Sequence, residues 1–129
     1  MADGNEGLNL LYIEDDMDNQ TLVNFYVRKS PHSLDIAATG SAALELLVQN
    51  SYEVILLDWN MPTEPSGAEL LEKIRDIPEY ETVPVIIITG FSRPSELKGL
   101  DRDQIHTYLT KPLRKRRLLG VLEELENHS

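Results

Sequence analysis

The apolar residues of this chain occur in short, dense runs, and the densest run ends abruptly in a carboxylate. The run Val-Ile-Leu-Leu at positions 54–57 is followed directly by Asp58, and Pro62 then turns the chain. An apolar run of this length between polar residues is typical of a strand that is buried on both faces. The pattern therefore predicts a central strand with Asp58 at its carboxyl end, which is where open α/β sheets bind ligands.

Further apolar runs predict strands, and the stretches between them have apolar residues at helical spacing. The other predicted strands are Leu8 to Ile13, Leu34 to Ala38, Val83 to Ile88 and His106 to Thr110. Predicted helices contain residues 22–26, open at Ser41, Ser66 and Arg93, and occupy Leu113 to Glu126. Because strands that alternate with helices imply right-handed crossovers, we expect an α/β fold with a doubly wound, five-stranded parallel sheet.

Two of these helices carry more detailed predictions. Ser66 and Glu69 have the spacing of a capping box at the start of the third helix. In the second helix, Leu44, Leu47 and Val48 are expected to face the sheet. These side chains would join the helices to the core.

The composition is that of a single globular domain. The chain has 129 residues, of which 41% are hydrophobic and 26% charged. Its formal net charge of -10 argues against nucleic acid or an anionic membrane as a partner. It has no cysteine and no apolar run of about 18 residues, so neither a thiolate site nor a membrane-spanning helix is predicted. We expect a disordered leader over residues 1–7, one domain over residues 8–129 and a cytoplasmic location.

Polar side chains follow four of the predicted strands at the point where each strand ends. These residues are Glu14 and Asp15 after the first strand, Asp58 after the third, Thr89 after the fourth and Lys111 after the fifth. Because the strands of a parallel sheet end at the same edge, we expect these side chains to share one crevice. Strand ends are also polar simply because they meet water. That reason does not explain why carboxylates, a hydroxyl and an ammonium occur together, since this set suits one kind of chemistry.

The predicted crevice has too much negative charge for its single lysine. Two carboxylates about 4 Å apart repel by roughly 4 kcal/mol at an effective dielectric constant of about 20. A hard divalent ion such as Mg²⁺ would compensate, with Asp15 and Asp58 as direct ligands, Glu14 through water, and the backbone carbonyl of Asn60. The ion would bridge Asp58 to a phosphoryl group, since carboxylates are known to form aspartyl phosphates. Thr89 and Lys111 would contact the phosphoryl oxygens.

Four motifs resemble those of the receiver domain of two-component response regulators. They occur in that family's order and at its usual separations, and the resemblance covers residues 8–126. The motifs are Ile13-Glu14-Asp15-Asp16, Leu56-Leu57-Asp58-Trp59-Asn60-Met61-Pro62, Ile87-Ile88-Thr89-Gly90 and Tyr108-Leu109-Thr110-Lys111-Pro112. The string Asp-Trp-Asn-Met-Pro is especially similar to single-domain, chemotaxis-type receivers. The resemblance implies a flavodoxin-like fold with strand order 2-1-3-4-5.

The resemblance also implies roles in a phosphorylation site. Asp58 resembles the phosphoacceptor of the family, and Glu14 and Asp15 resemble its metal-binding acidic pair. Lys111 resembles the lysine that contacts phosphate, and the bond between Lys111 and Pro112 resembles one that is often cis in the family. The cofactor implied is Mg²⁺.

A switch and its partners follow from the same resemblance. Thr89 resembles the switch hydroxyl, and Tyr108 resembles the aromatic residue whose rotamer follows it, although a tyrosine also suits simple strand packing. A histidine kinase or histidine phosphotransfer protein would phosphorylate Asp58. The face formed by the fourth predicted helix, the fifth strand and the last helix would then change its affinity for a downstream protein. The chain would be a monomer or a phosphorylation-dependent dimer.

Two other functions are compatible with parts of the pattern. An aspartyl-phosphate phosphotransferase or phosphatase commonly has a second aspartate two residues after the nucleophile, and Asn60 at that position cannot transfer a proton. A receiver-like interaction module that is never phosphorylated is opposed by the complete set of site residues. We therefore expect a regulatory phosphoacceptor rather than an enzyme.

Residues around the predicted site have competing interpretations. Asp16 is expected to be an exposed helix cap rather than a ligand, and Trp59 to be partly exposed loop surface. The basic run Arg-Lys-Arg-Arg at positions 114–117 opens the last helix, where cations oppose the helix dipole. This run is either a solvated helix start or a docking point for an acidic partner.

Overall fold

The computed structural model describes residues 7–62, 65–90 and 104–127, which form a parallel sheet flanked by helices. The strands are β1 (Asn9–Ile13), β2 (Ser33–Ala37), β3 (Val54–Asp58), β4 (Val85–Thr89) and β5 (Thr107–Thr110). The helices are α1 (Met17–Val27), α2 (Gly40–Gln49), α3 (Gly67–Asp76) and α4 (Lys115–Asn127), with a short 3-10 helix at Pro78–Tyr80. All neighbouring strands are parallel and their order is β2-β1-β3-β4-β5. The predicted fold class and strand order are confirmed.

The apolar run that defines β3 lies at the centre of the sheet. Val54 and Leu56 point to one face, where they pack with residues of α1 and α4. Ile55 and Leu57 point to the other face, where they pack with residues of α2 and α3. Every residue of β3 and β4 is buried, which explains why both strands are almost continuously apolar. Burial of each large aliphatic side chain contributes about 1.5–3 kcal/mol.

Side-chain caps fix where the helices next to the sheet edge begin. The Asp16 side chain accepts the backbone N–H of Asn19 and caps α1, as predicted. The predicted capping box of α3 is also present, because Ser66 and Glu69 each accept the other's backbone N–H. In the described residues, no helix is long and apolar enough to cross a membrane.

Two predictions about burial are wrong. Val48 is 80% exposed, because α2 contacts the sheet through Ala43 and Leu47, and the next position turns away from it. Trp59 is only 9% exposed and belongs to the core beneath α2 and α3. The helix predicted to open at Arg93 lies outside the described residues, and α4 corresponds to the last predicted helix.

Candidate functional site

The strand register brings the predicted site residues to one edge of the sheet. Ile13 of β1 lies opposite Leu57 of β3, so Glu14 and Asp58 come next on adjacent strands. Asp58 lies opposite Ile88, one residue before Thr89. Thr89 lies opposite Thr110, and Lys111 is the next residue. The convergence expected from parallel strands is therefore observed.

A cluster of acidic side chains forms the centre of this edge. Glu14, Asp15 and Asp58 each offer a carboxylate oxygen, and these oxygens all lie within 4.8 Å of one another. Glu14 and Asp58 are buried, whereas Asp15 is exposed, so the cluster meets solvent on the Asp15 side. Carboxylate oxygens are the ligands that Mg²⁺ prefers, and one or two of them suffice. The residues present thus fit a hard divalent cation.

Lys111 brings a positive charge to the site and lies between two buried carboxylates. Its Nζ is 3.3 Å from Asp58 Oδ1 and 3.4 Å from Glu14 Oε1. Burial alone would lower the pKa of Lys111, but the charges of Asp58 and Glu14 outweigh it, so the pKa is raised. The ammonium therefore stays protonated at neutral pH. The peptide bond between Lys111 and Pro112 is cis, as the family resemblance implies.

Glu14 is held in place from three directions. The Tyr12 hydroxyl donates to Glu14 Oε1 at 2.9 Å, and the backbone N–H of Asp16 donates to Oε2 at 3.1 Å. Lys111 contacts the same Oε1 that Tyr12 does. Burial raises the pKa of Glu14, and the neighbouring Asp58 raises it further. Burial also raises the pKa of Tyr12, with a further contribution from the charge of Glu14, so its hydroxyl keeps its proton and donates.

Asp58 and Thr89 are linked through Asn60. The backbone N–H of Asn60 donates to Asp58 Oδ1 at 3.1 Å, which turns the chain sharply after β3. The Thr89 hydroxyl donates to Asn60 Oδ1 at 3.0 Å, and the Gly90 N–H lies 3.4 Å from the same oxygen. Thr89 is fully buried. The side chain of Asn60 is thus a hydrogen-bond acceptor for the residues at the end of β4.

Tyr108 lies in β5 opposite Ile87 and is half-buried against the core between the sheet and α2 and α3. It is on the strand next to Thr89, at the edge of the sheet. This position suits both a switch residue and simple strand packing.

The role of Tyr12 and the side-chain role of Asn60 were missed in the sequence. Tyr12 stands two residues before Glu14, and side chains two apart on a strand point to the same face. An aromatic residue with a hydroxyl in a buried strand usually needs a hydrogen-bond partner. Together, these two facts could have predicted the hydrogen bond between Tyr12 and Glu14.

Comparison with known proteins agrees with this geometry. Residues 10–123 match the family model of the response regulator receiver domain. A protein of Leptolyngbya boryana, described as an uncharacterized 14.6 kDa protein in the sodA1 3' region, is 28% identical over 91% of this chain and 88% of its own. A chemotaxis protein CheY homolog of Campylobacter jejuni is 28% identical over 92% of each chain.

A solved structure shows the same fold. The receiver domain of the sensor histidine kinase PA1611 of Pseudomonas aeruginosa, with a magnesium ion coordinated in its active site cleft, is 24% identical. The match covers 94% of this chain and 98% of that one, with a TM-score of 0.84. In several longer relatives, the chain spans only 30%, 56% and 49% of the whole protein.

The strand order and the flanking helices are those of a CheY-like, flavodoxin-like α/β fold. Because the family model covers nearly the whole length, the chain belongs to the response regulator receiver domain family of two-component signalling.

Proposed function

We propose that this chain is a cytoplasmic phosphoacceptor switch in which Asp58 takes a phosphoryl group from a histidine kinase or a histidine phosphotransfer protein. The position of Asp58 is the observation that supports the proposal most strongly. Its carboxylate is 2% exposed at the end of β3, 3.3 Å from Lys111 Nζ, and clustered with Glu14 and Asp15. The nucleophile therefore lies beside both a cation and two further carboxylates that could bind a metal ion.

The proposed transfer moves a phosphoryl group from nitrogen to oxygen. A carboxylate oxygen of Asp58 attacks phosphorus while the bond between phosphorus and the donor histidine nitrogen breaks. The nitrogen keeps the bonding electrons, and an acyl phosphate forms on Asp58. Such a transfer depends mainly on positioning and on neutralisation of charge. Lys111 provides part of that charge, since its ammonium already lies beside the attacking carboxylate.

The acidic cluster is proposed to hold Mg²⁺. Asp15 and Asp58 would bind the ion directly, Glu14 would bind it through water, and the backbone carbonyl of Asn60 would complete the protein ligands. When bound, the ion neutralises and orients the oxygens of the phosphoryl group. The exposure of Asp15 supports this assignment, because it gives an ion and a phosphoryl donor access from solvent.

Thr89 and Tyr108 are proposed to convert phosphorylation into a change of surface. A phosphoryl group adds a charge of about -1.5 to -2 and strong acceptor oxygens. The Thr89 hydroxyl would leave Asn60 and donate to one of these oxygens, and Tyr108 on the neighbouring strand would follow. The surface that includes β5 and α4 would then change its affinity for a downstream protein. A two-state element biased by a local change of charge is a general form of protein switch.

Fluorescence of Trp59 offers a test of the proposal. Trp59 is the single tryptophan and follows Asp58 directly. We expect its emission to change on addition of Mg²⁺ and again on addition of beryllofluoride, which mimics a phosphoryl group. Asp58→Asn should abolish the second change, whereas the control Asp76→Asn, at an exposed position at the end of α3, should preserve both. If the emission of the unmodified chain changes with neither addition, an interaction module that is not phosphorylated is favoured. Steady turnover of a phosphate ester would instead favour an enzyme.

A further inference from the structure

Tyr12 is a fully buried tyrosine on the strand that leads into the acidic cluster. Its ring packs in the core with Val23 and Leu118, on the face of the sheet covered by α1 and α4. Its hydroxyl points out of that apolar core toward the end of the strand, where it donates a hydrogen bond to Glu14 Oε1 at 2.9 Å. This hydrogen bond therefore joins the apolar core to the acidic cluster.

The hydrogen bond from Tyr12 is important because few other donors could replace it at the buried Glu14 carboxylate. The carboxylate is fully buried, so bulk water does not replace a lost donor. Asp16 N–H holds the other oxygen, Oε2, and Lys111 is shared with Asp58. The Tyr12 hydroxyl is the donor that approaches Glu14 from the interior of the domain. Without it, the carboxylate is held by one backbone group and a lysine that is itself 26% exposed.

We propose that Tyr12 is a positioning residue of the cation site, which acts by fixing the Glu14 carboxylate beside Asp15, Asp58 and Lys111. This inference rests on the proposed binding of Mg²⁺. Hydrogen-bond partners of metal ligands orient those ligands, and their loss typically lowers metal affinity by about 10- to 100-fold. Because Glu14 is proposed to bind the ion through water, we expect an effect at the lower end, an increase of about 10-fold in the Mg²⁺ dissociation constant.

Tyr12→Phe tests the proposal with the least change in shape, since it removes only the hydroxyl. The matched control is Tyr26→Phe, which removes a hydroxyl that donates to the backbone carbonyl of Leu113 at 2.9 Å. Tyr26 packs against the same core cluster, but its hydroxyl bond lies outside the acidic cluster. Mg²⁺ dissociation constants are measured by calorimetry and by Trp59 fluorescence, with circular dichroism as the check that each variant is folded. We expect weaker binding in Tyr12→Phe and unchanged binding in Tyr26→Phe.

A double-mutant cycle separates positioning from general destabilisation. In a Glu14→Gln background, Tyr12→Phe should cause little further loss of Mg²⁺ affinity, because the carboxylate that the hydroxyl positions is already gone. Equal affinities in the unmodified chain and Tyr12→Phe overturn the inference and leave the proposed function intact. The inference is also overturned if Tyr12→Phe lowers Mg²⁺ affinity as much in the Glu14→Gln background as it does in the unmodified chain. Tyr12 would then act on the ion by a route that does not involve the Glu14 carboxylate. An unmodified chain that binds no Mg²⁺ contradicts the proposed function itself, and this inference with it.

Discussion

The hydroxyl of Thr89 donates a hydrogen bond to the side-chain oxygen of Asn60, and the two atoms lie 3.0 Å apart. The backbone N–H of Asn60 in turn donates to Asp58 Oδ1 at 3.1 Å. The buried Thr89 hydroxyl at the end of β4 is therefore linked through Asn60 to the turn that follows the proposed phosphoacceptor. In the proposed mechanism, the bond to Asn60 has to break before Thr89 can donate to a phosphoryl oxygen.

Asn60→Ala should therefore tighten the binding of a phosphoryl mimic. The substitution removes the acceptor that holds Thr89 and keeps the backbone carbonyl proposed for Mg²⁺. Because a hydrogen bond contributes a net 0.5–1.5 kcal/mol, we expect the beryllofluoride dissociation constant to fall by roughly 2- to 10-fold. Trp59 fluorescence in excess Mg²⁺ measures the constant. The gain should vanish when Thr89→Val is added, and weaker binding in Asn60→Ala alone would show that Asn60 assists the phosphorylated state instead.

Mg²⁺ should stabilise the folded chain, because the cluster of Glu14, Asp15 and Asp58 exists only after folding. At a concentration 100 times its dissociation constant, a ligand adds about 2.7 kcal/mol to the free energy of unfolding. Urea unfolding followed by circular dichroism, with and without Mg²⁺, measures this gain. A chelator should reverse it, and Asp15→Asn should reduce it while Asp76→Asn does not. Identical unfolding curves with and without the ion would argue against the cation site.

His32 should make stability depend on pH. Its Nδ1 accepts the backbone N–H of Leu8 at 2.9 Å, and burial lowers its pKa despite the nearby charges of Glu126 and Glu53. When the pH falls below the ordinary histidine pKa of about 6.5, His32 is protonated in the unfolded chain but stays neutral in the folded chain. The contribution of His32 to stability is thus present above that pH and is lost as the pH falls through the lowered pKa.

Urea unfolding at about pH 7.5 and about pH 5.5 checks the histidine prediction. His32→Asn should lose less stability over this interval than the unmodified chain. The control is His106→Asn, at an exposed position, which should lose as much as the unmodified chain does. Equal losses in the His32 variant and the unmodified chain would mean that His32 does not carry the pH dependence.

Tyr80→Phe should destabilise the fold without changing the site. The Tyr80 side chain is fully buried, and its hydroxyl lies 2.6 Å from the carbonyl oxygen of Asn50 and 3.2 Å from that of Leu47, at the end of α2. Removing it leaves the buried carbonyl group of Leu47 and the partly buried one of Asn50 without that donor, at a cost of about 1–3 kcal/mol. Urea unfolding measures the loss, and the Mg²⁺ dissociation constant should be unchanged. A variant as stable as the parent would show that another group replaces the hydroxyl.

The strands and most of the polar edge of the sheet could be predicted from the sequence, because the rules involved are local. The strand order came only from the family resemblance. An apolar run that ends in a carboxylate marks a buried strand and its polar end, and parallel strands all end at one edge. This is why Glu14, Asp58 and Lys111 could be brought together without coordinates. The capping box of Ser66 and Glu69 could be predicted for the same reason, since it depends only on spacing along the chain.

The errors and omissions concern side chains whose surroundings come from distant parts of the chain. Trp59 was expected at the surface, but Gly67 leaves room for it, since a Cβ there would come within 2.9 Å of the indole ring. The hydrogen bonds of Tyr12 to Glu14 and of Thr89 to Asn60 depend on the positions of side chains that spacing does not determine. Val48 was misplaced because the helix face that meets the sheet is narrower than its apolar residues suggest.

Phosphorylation of Asp58 itself is the most direct test of the proposed function. The chain is incubated with acetyl phosphate and Mg²⁺, and intact-mass spectrometry counts the phosphoryl groups attached to it. We predict that one group is added, that its addition requires Mg²⁺, and that it disappears in Asp58→Asn but persists in Asp76→Asn. A chain that remains unmodified with donor and Mg²⁺ together, or one that is modified equally in Asp58→Asn, would contradict the proposal.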